Sequence, residues 1–484
     1  MEIIRTVNDA INSVVWGVPM LILIIGTGIY LSCRLGFFQF TRFRHVLDST
    51  IFSAFKNKKG TESKNKKSIS QFQAMSTALA ATIGTGNIAG VATALTIGGP
   101  GAVFWMWVSA FFGMMTSFAE NILGVYYRKK NSDGEWAGGA MYYISEGLKK
   151  NRLAKPFAKP LSLLFALFCV LASFGIGNMS QVNAIAVSLN SAFNIPPLAV
   201  GIALAVLIGF ILIGGVKRIG AVAEKIVPFM AIIYIILTLS VVVVNIDKVP
   251  QVFVSIFRNA FGISAIGGGI SGAIVKNAIT LGFKRGVFSN EAGLGSAVIV
   301  NSVSDVREPV QQGMWGIFEV FFDTVVVCTL TAFTVLSTGV LETSKAEGSA
   351  LVSDAFASVF GTSAGMILSV SITLFAFTTI LGWSFYGTKS LEYLFGTKAT
   401  VIYKVIFSLF LVVGATMNLT LVWEISDTLN ALMAIPNLIG VLLLSGDVVR
   451  ITKNYKSRKF RGEKVAPMLS SYDEIQFEQE GKGS

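Results

Sequence analysis

Apolar runs of about 20 residues recur along the whole chain, and they limit its folding more than any other feature. Eleven can be counted, at roughly 14–35, 72–96, 101–127, 160–190, 198–215, 221–244, 251–283, 308–338, 363–386, 401–417 and 426–448. Each is long enough to cross hydrocarbon about 30 Å thick. Backbone N–H and C=O groups find no water there and must pair within the protein. Only 14% of residues are charged, against about 25% in soluble proteins. The mean hydropathy is +0.67. The expectation is an all-α membrane protein with no separate water-soluble domain. The N-terminal run, Val14 to Leu31, is long enough to remain as a membrane helix, and no basic n-region marks it as a cleaved signal.

Composition excludes several kinds of chemistry. Cys33, Cys169 and Cys328 lie in apolar segments without ligand spacing, so neither a disulfide framework nor a metal cluster is expected. His45, the single histidine, sits in a basic loop and leaves histidine catalysis nothing to build on. The net charge of +12 is sorted between loops rather than gathered into a nucleic-acid surface. With eleven spans, 35 of the 39 Lys and Arg fall on one side, and Arg5, Lys248, Arg258 and Lys345 on the other. Positive-inside bias then predicts an external N-terminus and a cytoplasmic C-terminus in the cell membrane. The runs "KNKKGTESKNKK" and "KNYKSRKFRGEK" read as solvated topology determinants near anionic lipid.

Setting the first span aside leaves ten, divisible into five plus five of opposite orientation. The expected organisation is an accessory helix and basic loop at 1–70, repeats at 71–248 and 249–449, and a charged tail at 450–484. Each repeat opens with a glycine-interrupted span, "TIGTGNIAG" in the first and "SAIGGGISGAIVKN" in the second. Paired interruptions of this kind point to the binding site of a secondary transporter. Glycine that merely lets helices pack closely is the other reading. Unwound backbone supplies ligands: a half-helix N-terminus suits a carboxylate, and freed carbonyls suit Na⁺ or an ammonium group.

The segments "FQAMSTALAATIGTGNIAGVATALTIGGPGAVFWMW" and "GFKRGVFSNEAGLGSAVIVNSV" are similar to the signature segments of the alanine or glycine:cation symporter family. "FFDTVVVCTLTA" and "TLFAFTTILGWSFYG" fit the same pattern, and the resemblance covers nearly the whole chain before about residue 450. It implies a leucine-transporter-type inverted-repeat fold and Na⁺-coupled uptake of small neutral amino acids, with alanine, glycine and D-alanine as candidates. Residue by residue, Gly84, Thr85, Gly86 and Asn87 match the unwound segment, and the amides of Thr85 and Gly86 are implied to face the substrate carboxylate. Ala80 and Ile83 match positions whose carbonyls bind Na⁺. Thr378 and Thr379 match the adjacent hydroxyls of that cation site, unless they only back-bond to their own helix.

Other assignments combine the residues with the same resemblance, which implies that the span holding Asn178 and Gln181 lines the pocket and makes Asp323, in the family-like "DTVVVCT" motif, a better candidate than Glu319. Gly267, Gly268 and Gly269 offer carbonyls for a substrate ammonium, and Ile270 would then project toward the substrate side chain; a close helix crossing is the alternative. Asp323 and Glu319 share one helix face near mid-membrane. They are candidates for a second cation site or for charge balance, against a hydrogen bond to a neighbouring helix. Asn178 and Gln181 also share a face and either reach the substrate or a cation, or join helices. Trp383 caps a small pocket or simply packs. Segment 284–308 is too polar to span and is expected as a cytoplasmic connector or plug, with Lys284, Arg285 and Glu291 available for closing ion pairs.

The same fold run by H⁺ through Asp323 or Glu319 is the alternative mechanism. A channel would need a continuous polar stripe, and an intramembrane enzyme would need a nucleophile–base pair or metal ligands; neither pattern appears in the sequence.

Overall fold

The computed structural model describes residues 2–57, 68–262, 270–417 and 420–481. Among these residues it is a helical membrane protein, with one two-stranded hairpin, Lys129–Lys130 against Trp136–Ala137. Among the described residues, eight helices are long and apolar enough to cross a membrane, or nine if a bent pair near residue 84 counts as one span. The helix Pro197–Ile213 is apolar but shorter. The span expected at 251–283 contains residues outside those described.

Helix α1 (Glu2–Val15) and helix α2 (Val18–Leu35) are separate, so the first span begins at Val18 rather than Val14. Gly17 and Pro19 set the break: proline at the start of a helix has no N–H to lose, and its ring clashes with a continuing preceding turn. The bent pair is α3 (Gln71–Thr82) followed by a π-helical turn, Gly86–Gly90, and α4 (Val91–Gly98), with a bend of 52°. A capping box starts α3. Ser70 Oγ accepts from the Gln73 amide at 3.0 Å, and Gln73 Oε1 accepts from the Ser70 amide at 3.1 Å.

Helix α5 (Gly101–Tyr126) packs along α6 (Ile270–Asn290). The contact is close because Gly282 faces it: a Cβ there would lie 2.6 Å from the Ala102 carbonyl. Helix α7 (Ala364–Phe395) crosses α3 where Gly382 meets the backbone of Ala81. That crossing sets Thr379, one turn earlier, beside Gly84 at the end of α3, while the Thr378 hydroxyl faces Met230 Sδ at 3.4 Å. Helix α8 (Thr420–Leu443) carries Glu424 and Asp427. Arg5 of α1 pairs with Glu424 at 2.9 Å, and Lys284 pairs with Asp427 at 2.9 Å.

Opposite that end, buried Arg128 donates to the carbonyls of Ser302, Ser304 and Val306. The Asp305 amide bonds the Ile69 carbonyl at 2.7 Å, tying the start of α3 to the same loop. The C-terminal helix Asp473–Gly481 also lies on this half, through Lys130–Glu478 at 2.7 Å. The end that holds Glu424 and Asp427 is the cavity side of the molecule, and the end that holds Arg128 is its tail side.

Segment 284–308 departs from the sequence expectation. Residues 284–290 continue α6 on the cavity side, because Leu281 packs at Gly98 and Gly286 at Ser109 as the helix descends along α5. Lys276, Lys284 and Arg285 therefore lie on the cavity side rather than on the basic side expected of them. Glu291 does not pair with Lys284 or Arg285. Its carboxylate accepts from Trp383 and Ser296 instead.

Gly282→Leu should destabilise the fold by about 1–3 kcal/mol or more, because the Ala102 carbonyl cannot yield as a side chain would. Thermal unfolding in detergent checks this against Gly272→Ala, where the added Cβ meets open space and a change within about 0.5 kcal/mol is expected.

Candidate substrate and cation site

Helix α3 ends because its backbone is offered a better acceptor. The Gly84 amide would close the next turn on the Ala80 carbonyl, but it donates to Asn87 Oδ1 at 2.9 Å. The Asn87 amide in turn bonds the Gly84 carbonyl at 3.2 Å rather than that of Ile83. Both the Ala80 and Ile83 carbonyls are thus released from the helical ladder. Among the described residues, the amides of Thr85 and Gly86 carry no backbone acceptor either. Oxygen ligands and N–H donors are exposed within two turns of one another, at a depth where lipid-facing backbone could not survive.

The facing helix completes the oxygen set. A Cβ added to Gly84 would sit 2.5 Å from Thr379 Oγ1. Thr379 Oγ1 donates to the Phe375 carbonyl at 3.0 Å, and Thr378 Oγ1 to the same carbonyl at 2.9 Å. The back-bonding alternative therefore does occur. It consumes the hydroxyl protons and leaves oxygen lone pairs free, which is the form in which a hydroxyl can accept a hard cation.

Asp323 lies in a π-helical stretch, Phe321–Cys328, and is buried. Its Oδ1 accepts from Asn87 Nδ2 at 2.7 Å. Its Oδ2 accepts from Ser289 Oγ at 2.8 Å and Thr324 Oγ1 at 2.9 Å. One carboxylate thereby joins the first break to the end of α6. Directly after Ser289, the chain leaves helical geometry over residues 291–296 and resumes as a short helix, Ala297–Asn301. Glu291 has φ 56°, Gly293 90° and Gly295 76°, a left-handed run that the two glycines make accessible. Asn437 Nδ2 holds the Gly293 carbonyl at 2.9 Å and also bonds Glu120. The interruption opposing the first break is therefore at 291–296. Gly267, Gly268 and Gly269 lie outside the described residues, as does the side chain of Ile270.

The two interrupted segments run antiparallel. Gly86 lies against Phe288, and Gly98 against Leu281. They meet at the base of a cavity of about 880 Å³ that opens on the cavity side. Thr85 and Gly86 line its base, Phe288 and Trp423 its walls, and Glu347 and Ser349 are also among its lining residues. The ring centroids of Phe288 and Trp423 are 6.4 Å apart. On the tail side of the breaks, Trp383, Glu291 and Asn437 are packed and buried.

This sequence is similar to known proteins over nearly its whole length. A family model described as the sodium:alanine symporter family matches residues 1–468. The sodium/alanine symporter AgcS of Methanococcus maripaludis is 46% identical over 94% of this chain and 98% of its own. An uncharacterized transporter of Haemophilus influenzae is 45% identical over 94% of this chain and 97% of its own. The chain belongs to the sodium:alanine symporter family. Among solved structures, MhsT in complex with L-phenylalanine aligns with TM-score 0.56 at 14% identity, over 86% of this chain and 96% of that one. The symporter thus has a leucine-transporter-type fold.

The symporter brings together Thr85, Gly86, Asn87, Thr379 and Asp323, all named from sequence. Gln181 joins them: its Oε1 accepts from Thr85 Oγ1 at 3.3 Å, and its Nε2 donates to the Ile176 carbonyl. Asn178 lies elsewhere, donating to the Phe407 carbonyl at 2.7 Å and joining two helices. Trp383 packs against Gly177 beneath the cavity and donates to Glu291 at 2.9 Å. Glu319 faces Asn301 at 3.1 Å in a cluster with Gln312 and Ser304, away from the cavity lining. Sequence reasoning missed Ser289, Phe288, Trp423, Glu120 and Asn437. The run "FSNEAGLGSA", with two glycines behind an Asn-Glu pair, carried the signal for the first two, but its polarity read as a short interfacial plug or a connector on the cytoplasmic side.

Asp323→Ala should leave the Asn87 donor only its long contacts to the residue-323 carbonyl at 3.4 Å and to Cys328 Sγ at 3.3 Å, and Ser289 only Cys328 Sγ at 3.3 Å, at a cost of up to about 1–3 kcal/mol each, and remove uptake. Asp323→Asn keeps an acceptor for Asn87 and lets Ser289 reverse its hydroxyl. Uptake retained in Asp323→Asn would show that Asp323 acts by position; uptake lost from a folded Asn variant would show that its charge is needed. Labelled-alanine uptake with thermal unfolding of both variants separates these outcomes.

Proposed function

We propose that this symporter couples inward Na⁺ movement to uptake of small neutral amino acids, with alanine and glycine as the principal candidates and D-alanine within range. One observation carries the reading. The bare amides of Thr85 and Gly86 line the base of the cavity within two turns of the freed Ala80 and Ile83 carbonyls and the Thr379 hydroxyl. The amides and the dipole of α4 suit the substrate carboxylate. The carbonyls, with Thr378 and Thr379, are the hard oxygen set that Na⁺ requires. Na⁺ enters as a co-transported substrate, released on the far side with the amino acid. A proton site would need none of these oxygens, which favours Na⁺ over H⁺ as the coupling ion.

Substrate size follows from the walls. Phe288 stands so near Gly86 that an added Cβ would meet its ring at 3.3 Å. A small side chain fits beside such a wall more readily than a large one. The carbonyls around 291–296 are the better candidates to meet the ammonium group, since they oppose the first break. Gln181 orients Thr85. Asp323, with its three donors in place, sets Asn87 and hence the break itself, and supplies negative charge near a bound cation.

The charge distribution supports a cytoplasmic tail side in the cell membrane. The cavity then faces outward, and the packed cluster of Trp383, Glu291 and Asn437 closes the inner route. Alternating access requires that cluster to part while Phe288 and Trp423 close. The repeats at 71–248 and 249–449 account for this symmetry if α3–α4 corresponds to α6 and Ala297–Asn301 in inverted order.

Uptake of labelled alanine into proteoliposomes should be stimulated by inward Na⁺ and not by K⁺. Thr378→Val/Thr379→Val should abolish the stimulation, and Gly86→Val should abolish uptake from a folded protein. Uptake driven by an inward pH gradient without Na⁺ would transfer the coupling to Asp323 or Glu319.

A further inference from the structure

Beyond transport, a second cavity on the tail side has the chemistry of an anion site. It measures about 620 Å³ and is lined by Thr41, Arg42, Lys456, Phe460 and Arg461. Among the described residues, three cations and a hydroxyl line it, with no carboxylate. Lys456 donates to the Leu35 carbonyl at 2.9 Å, which caps the end of α2 and leaves further ammonium protons free. Arg42 stacks on Phe460, with its guanidinium carbon 4.3 Å from the ring centroid. Among the described residues, neither Arg42 nor Lys456 has a carboxylate within 4.0 Å. Arg461 has only a loose contact with Glu463, at 3.7 Å.

Burial and the charge of Arg42 both lower the pKa of Lys456. Burial and the charge of Lys459 likewise lower that of His45 on the adjoining helix, with Asp48 opposing. Arg42 and Arg461 are exposed and Lys456 is half-buried, so water solvates these charges, and an anion placed among them would gain by relieving their mutual repulsion.

The position of the cavity says what that is. It lies just past Leu35, where α2 ends and the headgroup layer begins. The neighbouring Phe40 is 74% exposed and Phe37 39% exposed. Aromatic rings so uncovered beside a membrane helix belong in acyl chains, not in water. An occupant must therefore join a negative group to an apolar tail.

We propose that this cavity binds the headgroup of an anionic phospholipid, with its phosphodiester among Arg42, Lys456 and Arg461 and its acyl chains along Phe37 and Phe40. A zwitterionic lipid fits less well, because its ammonium would enter a cavity whose charged lining is positive. The basic face of the tail helix Ser445–Phe460 thereby becomes a lipid-anchored strut against α2.

Thermal unfolding of the purified full chain in uncharged detergent tests this, with added phosphatidylglycerol, phosphatidylcholine or inorganic phosphate. Phosphatidylglycerol should raise the unfolding temperature saturably. Phosphatidylcholine and phosphate should not. Arg42→Gln/Lys456→Gln/Arg461→Gln should weaken the apparent lipid affinity on the order of a hundredfold. The control Arg152→Gln/Lys453→Gln/Lys464→Gln removes as many tail-side charges outside the cavity and should keep it. Arg461→Gln alone, at the exposed rim, should weaken affinity about fivefold without risk to the fold. Equal protection by phosphatidylcholine, equal protection by free phosphate, or equal loss in the control would each overturn the proposal.

Discussion

The side chain of Asn87 is the hinge of this structure. Its oxygen takes the Gly84 amide that would otherwise continue α3, and its nitrogen is held by Asp323. A helix in the membrane keeps its hydrogen-bond ladder because nothing else there can satisfy the backbone. Asn87 supplies that alternative from within the chain. The break therefore leaves no unsatisfied amide at Gly84, and it releases two carbonyls where a cation can use them. Asp323 does the converse work, with a buried carboxylate that accepts from three side chains and so spans both interrupted segments. Burying a carboxylate without such donors would cost several kcal/mol.

Close helix crossings then decide where the freed groups point. Gly382 against Ala81 brings α7 near enough to set Thr379 beside Gly84. Gly282 and Gly286 let α6 descend along α5 to the level of Asn87. Small residues at interfaces are a general device of membrane helices, since van der Waals packing replaces the hydrophobic effect there. In this chain the same glycines also register the two breaks. One crossing thus ends at the close of α3 and the other brings α6 against the turn that follows it, so the proposed substrate and cation sites would be neighbours, which would give coupling a direct physical route.

The asymmetry of the molecule follows from what lies on either side of the breaks. Toward the cavity side, α6, α8 and the rim leave open volume. Toward the tail side, Trp383, Glu291 and Asn437 fill the space with bonded side chains, and Arg128 gathers the carbonyls of residues 302–306. Those polar contacts are of the kind that can separate and re-form without exposing a hydrophobic core, as alternating access requires.

Much of this was legible in the sequence. Long apolar runs implied an all-α membrane protein, because the bilayer permits little else. "TIGTGNIAG" marked the first break, since its glycines weaken a helix and its asparagine offers the backbone another partner in mid-span, and "FFDTVVVC" marked the buried carboxylate. The second break was not legible. "FSNEAGLGSA" is as polar as a loop, and only its packing against α5, α7 and Asn437 shows it to be buried mid-membrane backbone. Nor could spacing tell that Lys284 and Arg285 belong to the cavity side, because charge sorting assigns whole loops and α6 runs through the expected boundary. Asn178 and Gln181 share a helix face, yet one meets Phe407 and the other Thr85. Local sequence determines which groups a helix can present and where it can be broken. Which groups meet is decided by crossings between segments far apart in the chain, and those distances exist only once it has folded.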